Sequence, residues 1–169
     1  SGLDTKCYNT YHPPMPATLR DELRQNRPFG SLEQEAHLSI QRTATLLEDS
    51  FERMLKPRGI SAVQFNVLRI LRGAEPQALC RNEIRDRLLT RMPDVTRLLD
   101  RMEEAGLVSR ERSTEDRRQV GTRLTARGRR LVDSLDDAVI EEHRATLGHL
   151  TREELRTLVD LLARVRSPG

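Results

Sequence analysis

A chain of 169 residues with a formal net charge of +3 is long enough to bury a core, and it suits one domain or one domain with an oligomerisation element. Aromatic residues make up only 3% and Trp is absent, so the core must be Leu, Val, Ile and Met packed between helices, which argues for a mainly α protein. Two cysteines exclude a disulfide scaffold, the N-terminus lacks an apolar secretion signal, and no apolar run approaches the ~20 residues of a spanning helix, so a soluble, cytoplasmic protein without a membrane partner is expected.

In chain order, Ser1-Gly2 in place of an initiator Met reads as the remnant of a tag. Residues 1–30 form an arm punctuated by Pro13-Pro14-Met15-Pro16 and Arg27-Pro28-Phe29-Gly30, with a short helix expected from Leu19 to Gln25. Ser31-Leu32-Glu33-Gln34 has the form of a capping box. Apolar spacing through Leu38, Ile40, Leu46, Leu47, Phe51 and Met54 then predicts a helix to Leu55, stopped by Lys56-Pro57-Arg58-Gly59. Ser61-Ala62-Val63-Gln64 repeats the cap signal for a second helix through Phe65, Leu68, Ile70 and Leu71, ending near Gly73. After a turn at Glu75-Pro76-Gln77, Ala78-Leu79 reads as a short strand and Arg81 to Leu88 as a third helix.

Val95, Leu98, Leu99 and Met102 recur at i, i+3, i+4 and i+7, which predicts a fourth helix starting near Met92, with Pro93 in its first turn and Gly106 ending it. Leu107 to Arg112 and Val120 to Leu124 read as antiparallel arms around a polar tip from Ser113 to Gln119. Thr125 caps a long helix to about Thr146, with Leu131, Leu135, Val139 and Ile140 on its apolar side. Thr151-Arg152-Glu153-Glu154 opens a last helix in which Leu155, Leu158, Val159, Leu161, Leu162 and Val165 form a wide apolar stripe.

Helix, turn, helix and hairpin in that order make a winged helix-turn-helix, which offers one helix to a DNA major groove. The expected organisation is an arm at 1–30, a winged head at 61–125, and flanking helices at 31–60 and 126–169. The apolar stripe at the chain end needs a partner surface, and the first helix is the economical one. Charge is uneven along the chain: Arg81 to Arg130 holds fourteen arginines against nine acids, whereas residues 131–169 hold five against eight. Basicity therefore gathers in the head, as a nucleic-acid reader requires, although a charge run is also what a solvated face looks like.

Asp116-Arg117-Arg118 followed by Arg123-Leu124-Thr125 resembles the D-x-R and L-T wing signature of the MarR (multiple antibiotic resistance regulator) transcription factors. The segment from Thr96 to Val108 resembles their recognition-helix region, and the match keeps order and spacing from about Ser31 to the C-terminus. The resemblance implies a homodimer in which terminal helices of two protomers interlock, presenting two heads to half-sites of a pseudo-palindromic operator roughly one helical turn, ~34 Å, apart. It implies a regulator, read here as a repressor, released by a small aromatic or phenolic effector bound between the dimer helices and the head.

On the fourth helix, Arg91, Asp94, Thr96, Arg97 and Arg101 are the candidates for base and phosphate contact. This chain departs from the family at Met92-Pro93-Asp94, where many relatives carry Ser or Thr; Asp94 would repel phosphate unless it accepts from a cytosine amine, holds Arg97, or serves as a first-turn acid. A guanidinium on the wing tip, Arg118, can enter the minor groove, with Asp116 holding it extended, roles that the resemblance also implies. Arg110, Arg112, Arg117 and Arg123 read as phosphate clamps.

His37, Gln41, Arg58, Gln64 and Asn66 are the candidates to line the effector pocket that the resemblance implies, and each also suits a cap or surface role. Cys80 at the start of the third helix and Cys7 beside Tyr8 and near Tyr11 carry a rival reading, thiol-based peroxide sensing, although peroxide sensors of this family carry their N-terminal Cys in or near the first helix. A protein-interaction module without DNA is a third alternative. No G-x-S-x-G, P-loop or G-x-G-x-x-G is present, so neither an enzyme nor a cofactor is expected. His12, His37, His143 and His149 are scattered without metal-ligand spacing.

Overall fold

The computed structural model describes residues 17–112 and 120–167 and divides the chain into two compact units, residues 1–45 and 46–169. In the first unit, α1 (Leu19–Glu22) is opened by Thr18, whose hydroxyl accepts from the Asp21 amide while Asp21 accepts from Thr18 N–H at 3.0 Å. That capping box sets the start of the short helix expected at 19–25, which ends at Glu22. The long α2 (Leu32–Leu55) begins in this unit. Ser31 Oγ accepts from Gln34 N–H, but the Gln34 side chain accepts from Gly30 N–H at 2.7 Å, so the expected reciprocal box closes one residue early.

The second unit opens on the C-terminal half of α2, a single 3-10 turn at Lys56–Arg58, and α3 (Ala62–Ala74). Gly59 adopts φ 72° after that turn, a left-handed conformation natural to glycine. Ser61 and Gln64 form the predicted reciprocal box: Ser61 N–H donates to Gln64 Oε1 at 2.9 Å. Glu52 supports the same helix start by accepting from Ala62 N–H at 2.8 Å.

Then follow β1 (Leu79–Cys80), α4 (Arg81–Arg87), α5 (Val95–Glu104), β2 (Val108–Arg112) and β3 (Val120–Leu124). The three strands form an antiparallel sheet in the order β1-β3-β2, with Leu79 opposite Thr122 and Val108 opposite Leu124. The strand expected at Ala78-Leu79 thus lies one residue later, and it pairs with the second wing arm. A contiguous core of Leu68, Leu71, Leu79, Ile84, Leu98, Leu99, Met102 and Val108 joins α3, α4, α5 and the sheet. Each such side chain contributes about 1.5–3 kcal/mol by leaving water.

Two expectations are corrected. The fourth helix starts at Val95, not near Met92, so Pro93 lies outside it and Asp94 is its N-cap. The long helix after the wing is two helices, α6 (Ala126–Asp133) and α7 (Asp136–Leu147), interrupted at Ser134-Leu135. At this break Leu135 is fully buried, Ser134 Oγ donates to Leu131 O at 2.8 Å, and neither Gly nor Pro is present. The last helix, α8 (Arg152–Arg166), starts with the predicted Thr151 and Glu154 box, Thr151 N–H donating to the carboxylate at 2.7 Å. None of its residues is buried. Among the described residues no helix is long and apolar enough to cross a membrane, and no group of three His, Cys, Asp or Glu side chains is arranged to hold a metal ion.

Candidate nucleic-acid interface

The amphipathic pattern of α5 becomes a two-faced helix. Val95, Leu98, Leu99 and Met102 are buried, which leaves Thr96, Arg97 and Arg101 on the solvent side. Asp94 sets the start of that helix: its carboxylate accepts from Arg97 N–H at 3.0 Å and pairs with Arg97 Nε at 3.2 Å. Of the roles weighed for Asp94, the geometry thus shows the grip on Arg97, taken from the N-cap position instead of the first turn. Arg97 still exposes 83% of its side chain, and Arg101 holds itself along the helix by donating from Nε to Arg97 O at 3.3 Å. Arg91 is exposed in the connection between α4 and α5. A helix N-terminus carrying arginines suits an anion, because free amide donors and the dipole act with the guanidinium charge.

Arg110 sits differently from the phosphate clamp expected of it. Its side chain is only 24% exposed; Nε donates to Glu103 at 2.8 Å and Nη2 pairs with both Asp100 and Glu103 at 2.7 Å. Its backbone N–H also donates to Glu103 at 3.0 Å. Glu103 first, then Asp100, hold the guanidinium ever more firmly in its charged form. The result is a strut from β2 to α5 that fixes the angle between wing and helix. Arg123, on β3, is exposed and donates to Pro76 O, which ties the wing to the loop before β1. Arg112 is the last residue of β2, and Asp116, Arg117 and Arg118 lie outside the described residues.

Cys80 is the residue before α4 and is a half-buried free thiol. Its N–H donates to Glu83 at 2.7 Å, and that bond holds the Glu83 carboxyl below the usual carboxylate range. With Arg81, Asn82, Thr96, Arg110 and Thr122 it borders an open cavity of about 390 Å³ between the first turn of α4, α5 and the sheet. Arg81 Nη1 donates to Thr96 Oγ1 at 3.4 Å, which adds a cation beside the exposed face of α5. Arg81 and Asn82 were absent from the sequence-derived set. The signal was there, since Cys80-x-x-Glu83 has cap spacing and so places both in an exposed first turn. Cys7 lies outside the described residues.

His37 and Gln41 are exposed on α2 in the first unit, and Arg58 is exposed in the 3-10 turn of the second. Gln64 is committed to the α3 cap. Asn66 is 6% exposed, and its Oδ1 has no hydrogen-bond partner among the described residues.

The sequence model of the MarR family matches residues 60–120, from the start of α3 to the start of β3. The transcriptional regulator PecS of Dickeya dadantii is 31% identical over 129 residues, 75% of this chain and 77% of that protein. A MarR transcription factor from Planctomyces limnophilus has a crystal structure that is 40% identical, with a TM-score of 0.63 over 80% of this chain and 98% of its own. The chain belongs to the MarR family of transcriptional regulators. A mutant MarR from Escherichia coli, crystallised with operator DNA, is 28% identical and covers 80% of this chain and 98% of its own, with a TM-score of 0.71.

Within this MarR chain, the Thr of the L-T signature is a structural knot. Thr125 Oγ1 donates to Gly106 O at 2.7 Å and accepts from Gly128 N–H at 3.0 Å, joining the end of α5, the start of β2 and the first turn of α6. Gly128 lies so close to Leu107 that a Cβ there would sit 2.0 Å from its carbonyl oxygen.

Proposed function

We propose that the protein is a homodimeric, sequence-specific DNA-binding regulator, a repressor, that lays α5 in the major groove of each half of a pseudo-palindromic operator. The observation that carries this reading is the two-faced α5: four apolar side chains anchor one side in the core, while Thr96, Arg97 and Arg101 are exposed on the other, with Arg81 alongside. The E. coli mutant MarR, whose fold this chain shares, was crystallised with operator DNA, which supports duplex DNA as the partner. Arg97, Arg101, Arg91 and Arg81 take phosphate and guanine edges; Asp94 positions Arg97. Arg118 and Asp116 keep the minor-groove role implied by the wing signature, with Arg112 and Arg117 on phosphates. Arg110 is left out of the contact set because two carboxylates hold it, and Arg123 contributes through wing position.

The dimer reading rests on apolar side chains that each unit leaves in water. Leu32 and Ile40 are exposed in the first unit; in the second, Leu158, Leu161, Val159 and Val165 of α8 are exposed, the last two at 62%. A stripe of this kind on a terminal helix is matched by an identical stripe on a second copy. Release by a small aromatic or phenolic effector is supported by the buried Asn66 amide oxygen, which has no partner among the described residues and which a phenol or protonated acid could satisfy. A second reading, release by thiol oxidation, is favoured by the place of Cys80 in the cavity beside Thr96.

Duplexes selected from a random pool, followed by titration in increasing salt, test the reading. The expected result is an inverted repeat whose affinity falls steeply with salt and is weakened at least tenfold in Arg97→Ala/Arg101→Ala. A salt-insensitive or sequence-blind result favours the protein-interaction alternative. Peroxide release that survives Cys7→Ser/Cys80→Ser removes the thiol reading.

A further inference from the structure

The break between α6 and α7 falls where the winged head hands over to the helices that carry the exposed apolar stripe. Nothing in its own two residues demands a break: Ser134 and Leu135 are both compatible with helix, and neither Gly nor Pro is present. The joint is held from outside. Arg72, in the last turn of α3, donates from Nη1 to Asp133 at 2.9 Å and to Asp136 at 3.0 Å, and from Nη2 to Asp136 at 2.8 Å. Asp133 is the last residue of α6 and Asp136 the first of α7, so one guanidinium fixed to the head grips both sides of the break.

The electrostatics give the grip a direction. A carboxylate at the C-terminus of α6 is mildly unfavourable against that helix dipole and is offset by a neighbouring cation, whereas one at the N-terminus of α7 is favourable. Leu135, fully buried between them, is the pivot. Arg72 is 26% exposed and the two carboxylates about half exposed, so the clamp is accessible to water and adjustable.

We infer that Arg72 is a positioning residue for operator recognition: by bridging Asp133 and Asp136 it sets the angle between the head and the α7–α8 arm, and thereby the separation of the two heads in a dimer. The inference rests on the dimeric DNA-reading function proposed above. None of the three side chains lies on α5 or the wing, so the effect is on spacing and not on base contact.

The test uses the full chain, the inverted repeat selected by the parent, the same repeat with one base pair added or removed between half-sites, and an isolated half-site. Arg72→Gln and Asp133→Asn/Asp136→Asn should each bind the selected repeat about tenfold more weakly, because bivalent engagement is lost, while half-site affinity and dimer mass stay parental. The preference for the original spacing should flatten, and Arg72→Lys, a single ammonium unable to grip both carboxylates, should recover only part of it. Parental affinity and spacing preference in both variants would overturn the inference, as would equal losses on half-site and full repeat, the mark of a merely unstable head. If the parent itself selects no duplex, the functional reading falls and takes this inference with it.

Discussion

Asp94 and Arg110 show how a charged residue in a basic segment divides between reading and building. At Asp94 the side chain satisfies an α5 amide that has no partner inside the helix, so Asp94→Ala should cost about 1 kcal/mol and lower the melting temperature by about 2–4 °C, with Asp94→Ser restoring most of it. At Arg110 the charge-assisted bonds to Glu103 and Asp100 predict a loss of roughly 1.5–3 kcal/mol in Arg110→Ala, read as a lower denaturation midpoint. A parental melting curve for Arg110→Ala would mean that the strut holds nothing. From sequence, Asp94 was legible as a partner for Arg97 because the two are one helical turn apart. Arg110 was not: its partners lie seven and ten residues back across a helix end, and residue type alone cannot distinguish a guanidinium facing phosphate from one facing carboxylate. The knot at Thr125 was half legible, as a helix cap whose second bond, to Gly106, depends on tertiary approach.

At the scale of elements, periodicity marked α2, α3, α5 and α8, whether the apolar face is buried, as in α3 and α5, or exposed, as in α8. It failed where two helices share one pattern. Leu131, Leu135 and Val139 keep helical spacing through the α6–α7 joint, so the break is invisible until the packing of Leu135 and the grip of Arg72 are seen. The start of α5 was misplaced for a related reason: Met92 packs against the core from outside the helix and so extends the apolar pattern beyond it. The joint also carries a pH signature. Hydrogen bonds from Arg72 lower the Asp136 pKa below its ordinary value, so the bond stabilises the fold fully above the unfolded-state carboxylate range and is lost as pH falls through the folded value. Asp136→Asn should therefore melt lower than the parent at pH 7, and the two curves should converge in acid as the pH falls through the lowered folded-state value. A constant gap across that range would remove ionisation of Asp136 from the account.

For the whole molecule, the division of labour is between a head that buries its core internally and terminal helices that do not. α8 caps its own start and buries none of its residues, which leaves Leu158, Val159, Leu161 and Val165 exposed, and the proposed dimer would cover them. Leu158→Glu/Val165→Glu should turn a dimer into a monomer by sedimentation while preserving the head, and should weaken binding to the full repeat far more than to a half-site. The stripe itself was plain in the sequence; its exposure on α8 required the fold. The most direct test of the central claim, that paired α5 helices read two turns of one duplex face, is the stoichiometry and symmetry of the complex formed on selected DNA. Two protomers on one inverted repeat, with half-site centres about one helical turn or a multiple of it apart, is the result expected. One protomer per duplex, or enrichment of sites without two-fold symmetry, would contradict it.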